Sequence, residues 1–148
     1  MGCDIHVQAE RKVNGKWQEV PGNFFDWRGY NVFAFLAGVR NYSAITPIAE
    51  LRGLPDDALD LDYGARGGDH SYSWLSLEEL LAFNYDAQTE DRRVSKVMPG
   101  GWINGGATAE LGGGETMTYR EYLREGFFEE LEKLKAAGAE RIVFGFDN

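Results

Sequence analysis

The sequence is short of several things, and each shortage excludes something. It has one cysteine in 148 residues, so no internal disulfide can form, and a reducing cytoplasm is the expected setting. Its longest apolar run, Val32 to Val39, is eight residues, against the roughly 20 needed to cross a bilayer. No basic start leads into an apolar stretch, so no secretion leader is expected. His6 stands where a myristoylation motif on Gly2 would want Ser or Thr. There is no basic surplus: 15 Lys and Arg against 24 Asp and Glu leave a formal charge of −9. Acidic bulk repels a phosphate backbone, so general DNA or RNA binding is not expected. A small anion in a local arginine pocket stays open.

Apolar residues at 43% and charged residues at 26% are ordinary globular values. The length suits one domain, 1–148, with a core large enough to stand without staples. The charge is uneven. Residues 1–50 balance five basic against five acidic side chains, and the rest is acidic.

From Cys3 to Val13 apolar and polar residues alternate, which marks a half-buried strand. Asn14-Gly15 supplies a type I′ turn, and Lys16 to Val20 is the returning strand. Asn31 is the expected cap of a short buried helix, Val32 to Ala37, ended by Gly38. Residues 40–69 keep no period and read as a long irregular stretch. Ser76-Leu77-Glu78-Glu79 is a capping box that starts a helix to about Phe83, with Leu77, Leu80 and Leu81 inward. Thr118-Tyr119-Arg120-Glu121 is a second box, opening the longest helix, to about Ala137. Its inward stripe is Tyr119, Tyr122, Leu123, Phe127, Leu131 and Leu134. Gly126 within it costs about 1 kcal/mol relative to Ala, which close packing against a neighbour would explain. Arg141 to Phe146 is the final strand. The glycine-rich residues 100–114 read as a mobile flap or a plain hairpin with glycine turns; no Gly-Lys-Ser/Thr makes them a P-loop. The expected fold is α+β: an N-terminal β-hairpin and a C-terminal strand in a mainly antiparallel sheet, packed against two or three helices, with long loops.

Two constellations carry chemistry. Asp4 and His6 share the polar face of the first strand, and His70 is the only other histidine. With Asp69 or Asp147, these residues suit a divalent metal centre or a carboxylate–imidazole general base. The structural alternative is two solvated strand residues and a histidine bonded to backbone. The second constellation suits binding. Arg40, Tyr42, Arg52, Arg66, Tyr72, Trp74 and Trp102, with Trp27 and Tyr30 beside them, lie in or near irregular segments. Guanidinium forks hold phosphate oxygens and aromatic faces stack on bases. Here the alternative is that the rings are core and the arginines pair with aspartates. Cys3 falls on the apolar face, where a cysteine behaves as a small hydrophobe.

The opening Met1-Gly2-Cys3-Asp4-Ile5-His6, with Arg40-Asn41-Tyr42, Arg52-Gly53-Leu54-Pro55, His70-Ser71-Tyr72-Ser73-Trp74-Leu75 and Phe146-Asp147-Asn148, resembles a set of small proteins of tailed bacteriophages and prophages that open on the same six residues. The likeness spans the chain through scattered short motifs. It implies a setting, an accessory protein in the cytoplasm of an infected bacterial cell, and no particular activity. Single-domain phage accessory proteins often counter host immunity, and one way is to sequester or destroy its nucleotide signals, an analogy of setting. Three functions are therefore expected, in this order. The first is sequestration of a small phosphorylated nucleotide, a cyclic one among the candidates, by a homo-oligomer without a required cofactor. The second is a metal-dependent phosphodiesterase using Asp4, His6 and His70. The third is an acidic inhibitor that docks on a host protein.

Overall fold

The computed structural model describes residues 2–59, 68–97, 99–101, 103–107 and 111–147, with the backbone alone at 94–97, 103–105 and 107. The strands β1 (Asp4–Val13) and β2 (Lys16–Val20) form the expected hairpin, with Asn14 and Gly15 at φ 51° and 77° in its turn. They are followed by helix α1 (Tyr30–Ala37), strand β3 (His70–Ser76) and helix α2 (Leu77–Ala82). Short strands β4 (Gln88–Asp91), β5 (Arg93–Val97), β6 (Ile103–Ala107) and β7 (Glu115–Thr118) come next, then helix α3 (Tyr119–Ala136) and strand β8 (Arg141–Asp147). The main sheet has the order β2-β1-β8-β3, antiparallel throughout; β4 pairs with β7 and β5 with β6 in two small ribbons. The fold is α+β, and the C-terminal strand lies inside its sheet. Within the glycine-rich stretch, β6 pairs back on β5, as a hairpin would.

One face of the sheet is covered by helices. Val32 to Ala37 of α1 are all buried, and Phe33 meets Phe146 of β8 with ring centroids 5.1 Å apart. The expected stripe of α3, from Tyr119 to Leu134, is buried throughout. Both capping boxes form as expected, at Ser76 and Thr118. Gly38 at φ 69° ends α1. Two local expectations are corrected. Asn31 does not cap α1, whose N-cap is Gly29, because its side chain turns to α3 instead. Leu81 is 44% exposed, since the short α2 presents only Leu80 fully to the core.

The opposite face of the sheet is polar yet buried. Glu10 is 1% exposed and Arg141 5%, with Arg141 Nε donating to Glu10 Oε1 at 2.6 Å. Gln8 donates to the other Glu10 oxygen at 2.7 Å, and Arg141 Nη1 to Asp57 Oδ1 at 2.8 Å. Trp17 donates to Asp57 at 2.7 Å, and its ring lies 3.8 Å from the Arg141 guanidinium. Every charge in this cluster is answered. Among the described residues no buried side-chain polar atom lacks a partner.

The longest helix is broken. Arg124 sits at φ 68°, ψ 174°, a conformation essentially reserved for glycine. The break frees the carbonyls of Tyr122 and Leu123, and Asn31 Nδ2 of α1 donates to both, at 2.9 and 3.3 Å. Trp27 packs beside Gly126, but a Cβ there would lie 3.8 Å from the indole, an ordinary contact, so close packing does not explain the glycine.

Two outcomes follow for chemical unfolding. Glu10→Ala removes one of the two carboxylates that hold the buried Arg141 and should cost about 3 kcal/mol. Arg124→Gly relieves the strained backbone and should stabilise by about 1–2 kcal/mol. Urea melts read both, and a neutral Glu10→Ala or a destabilised Arg124→Gly would contradict this account.

Candidate functional site

The register of the sheet assembles a cluster at one end of it. Asp4 pairs with Asp147 and His6 with Gly145, so the polar residues of β1 share a face with the end of β8. His6 Nε2 donates to Asp147 Oδ2 at 2.5 Å, with both side chains about a third exposed. His6 Nδ1 has no partner among the described residues. Asp4 takes a forked bond from Arg28, at 2.7 and 3.1 Å, and this bond holds its carboxyl below the usual range.

Tyr30, at the start of α1, and the loop residues Arg40 and Tyr42 complete the cluster. The hydroxyl of Tyr30 accepts from the Cys3 amide at 3.0 Å, tying α1 to the start of β1. Arg40, in the left-handed region at φ 53°, donates from Nη1 to the Tyr42 hydroxyl at 3.0 Å. Its guanidinium lies 5.5 Å from the Tyr30 ring centroid, and the two tyrosine rings meet edge-on at 6.5 Å. Asn41 holds this loop in shape, accepting from the Ile45 amide at 3.0 Å and donating to its carbonyl at 2.8 Å. Cys3 is fully buried; burial pushes its thiol up, and the neighbouring Arg40 opposes that only in part. A buried, protonated thiol is a poor nucleophile.

The rest of the expected sites disperse. His70 pairs with Phe146, one residue along β8 from the partner of His6, and successive residues of a strand face opposite ways. Its ring stacks near Phe146 and Nδ1 bonds the Ser71 hydroxyl at 2.8 Å. The backbone bulges here, with Ser71 at φ 59°. Gly68 runs so close to β8 that a Cβ would lie 2.7 Å from the Phe146 nitrogen. Asp4, His6 and His70 are thus not brought together. Among the described residues no three His, Cys, Asp or Glu side chains are grouped to hold a metal. Asp147 supplies the carboxylate of the His6 pair, and Asp69 lies 3.8 Å from the His70 ring.

Arg52 is spent on structure. Its fork holds Glu79 at 2.6 and 2.7 Å, Nη1 also donates to the Trp74 carbonyl, and the guanidinium stacks on the Trp74 ring at 4.7 Å. The Arg52 bond holds Glu79, itself part of a capping box, below its usual range. Tyr72 donates to the Gly68 carbonyl. Of the binding set, only Arg40 and Tyr42 join the sheet-end cluster. Arg66 and Trp102 lie outside the described residues, as does Asn148 of the last motif.

Sequence reasoning missed Arg28 as a member of the cluster, and also a cavity of about 370 Å³ beside the break in α3, lined by Trp27, Arg93 and Arg124 among others. No single-sequence signal marks Arg28, since its partner Asp4 is 24 residues away. The chain matches no protein-family model, no curated protein and no solved structure. Among the described residues no helix is long and apolar enough to cross a membrane.

One carboxylate near this region sets an acid limit on the fold. Asp91 accepts from Arg93 and Ser43, and chiefly the Arg93 bond brings it down to about 2. Because the folded value is depressed, its contribution is complete above the unfolded value near 4 and fades as pH falls towards 2. That contribution is about 2 kcal/mol at neutral pH. Asp91→Asn should therefore narrow its stability gap from wild type steadily between pH 5 and 2 in urea melts. A gap of constant size across that range would show that the charge is not what Asp91 contributes.

Proposed function

We propose that the protein captures a small phosphorylated nucleotide, cyclic nucleotides among the candidates, and releases it unaltered. The observation that carries this reading is the meeting of Arg28 and Arg40 with the rings of Tyr30 and Tyr42 at one end of the sheet. Arg40 is positioned by Tyr42 and Tyr30 together, and Tyr42 is 49% exposed. Tyr30 lies within electrostatic reach of both arginines. A guanidinium held between rings suits a phosphate, and an exposed tyrosine face suits a base. The resemblance to phage and prophage proteins supports the setting: an accessory protein acting in the cytoplasm of an infected bacterium, against a nucleotide signal of host defence. A homo-oligomer fits capture, since a subunit interface wraps a small ligand more fully.

A second reading, hydrolysis of such a nucleotide, is favoured by the His6–Asp147 pair. A carboxylate on Nε2 orients the imidazole and leaves Nδ1 to take a proton from water. Asp4 is turned to Arg28, so this reading leans on His6 and Asp147 rather than on the expected three residues.

Retention of nucleotides by the protein on an ultrafiltration membrane tests capture. Across a panel of cyclic and linear nucleotides, wild type should hold one of them stoichiometrically. Arg40→Ala should weaken retention at least tenfold, the loss of one charge-assisted bond of about 1.5–3 kcal/mol. Tyr42→Ala should cost about 1–3 kcal/mol if its face carries the base. Undiminished retention by Arg40→Ala would overturn the site, and turnover abolished by His6→Ala would favour hydrolysis.

A further inference from the structure

We propose that the cavity at the break in α3 is a second binding site, for a small aromatic anion: a flat ring bearing one phosphate or carboxylate. Its volume of about 370 Å³ is at the small end of the range for ligand sites. The lining contains two arginines, Arg93 and Arg124, one tryptophan, and no Asp or Glu, in a chain that carries −9 overall. Such a lining selects for negative charge.

Each of the three side chains is placed for a ligand in a different way. Trp27 is 41% exposed, and its backbone is tied on both sides. Its amide bonds the Phe25 carbonyl at 2.8 Å and its carbonyl takes the Gly29 amide at 2.9 Å, two tight turns in succession. Gly29 and Gly126 flank the ring: a Cβ at Gly29 would lie 2.4 Å from the indole nitrogen. An exposed ring seated between two glycines offers stacking area to a ligand. Arg93 is oriented by a fork onto Asp91, at 2.7 and 2.9 Å, and by the Tyr122 ring, 5.1 Å from its guanidinium. Arg124 differs. It has no ion-pair or hydrogen-bond partner among the described residues, so its whole fork is available.

The arrangement divides the labour. Trp27 stacks the ring, Arg124 supplies the fork to the anion, and Arg93, already paired with Asp91, forms a wall. Asn31 is occupied by the freed carbonyls of α3 and keeps the break open. The site stands apart from the sheet-end cluster in its residues, and it does not rest on the capture reading.

The test follows the Trp27 indole N–H signal by two-dimensional NMR, assigned by its loss in Trp27→Phe. Adenosine 5′-monophosphate and indole-3-acetate are titrated in, with adenosine and inorganic phosphate as controls. A saturable shift with both anions supports the shared chemistry; a shift with one alone names phosphate or carboxylate as the anion. The neutral nucleoside and bare phosphate should each bind at least tenfold more weakly than the best joined molecule. Arg124→Ala should lose at least tenfold in affinity, and Arg124→Lys, which keeps the charge and loses the fork, should retain only part of it. No saturable shift with either anion, or equal affinity in Arg124→Ala, would overturn the proposal. Because the signal is local to Trp27, a failure of capture at the sheet end leaves this result readable.

Discussion

Everything in this structure hangs on the last strand. Residues 141–147 pair with β1 on one side and β3 on the other, and six of the seven are buried. The sheet cannot close until the C-terminus is in place, and its pairings join residues more than 130 positions apart with β1 and 65 to 76 apart with β3. Such non-local closure slows folding but makes the finished sheet cooperative. It also decides where function can sit. The end of β8 brings Asp147 to His6, and the start of β1 carries Asp4 and Cys3 towards Arg28, Tyr30 and Arg40.

The arginines divide into those that hold the fold and those that face outward. Arg141 is buried in a closed network with Glu10, Asp57 and Trp17, and Arg52 is locked onto Glu79 and Trp74. Both guanidiniums have their forks filled by carboxylates and their planes covered by rings, which is ligand recognition turned inward. Arg40 donates to the Tyr42 hydroxyl and lies over the Tyr30 ring, and Arg124 lines the cavity beside the break in α3. The acidic balance of the chain makes this sorting consequential. With 24 acids to 15 bases, Arg124, which faces no carboxylate among the described residues, is an exception that needs a reason.

Local features were legible in the sequence, and long-range ones were not. The Asn14-Gly15 hairpin, both capping boxes and the α3 stripe depend on neighbours within a few residues, and all formed as read. β8 was recognised from its own alternation, but its partners could not be. Strand β3 has no clear signal in the sequence, because its pairing lies about 70 residues away and a bulge at Ser71 breaks its period. The break at Arg124 carries no Gly or Pro of its own; it is held by Asn31 from another helix. For the site, alternation placed Asp4 and His6 on one face correctly. What it could not supply was register, which set His6 against Asp147 and carried His70 to the opposite side of β8. The sorting of the arginines was equally hidden, since Arg52 and Arg40 look alike until their partners are known.

Capture without chemistry is the central claim, and mass spectrometry of heat-released ligand tests it most directly. Protein incubated with the nucleotide panel is washed, denatured, and the released molecule weighed against the one added. The account predicts an unchanged mass, recovered in stoichiometric amount from wild type. A released or filtered product of different mass would contradict it and turn attention to His6 and Asp147.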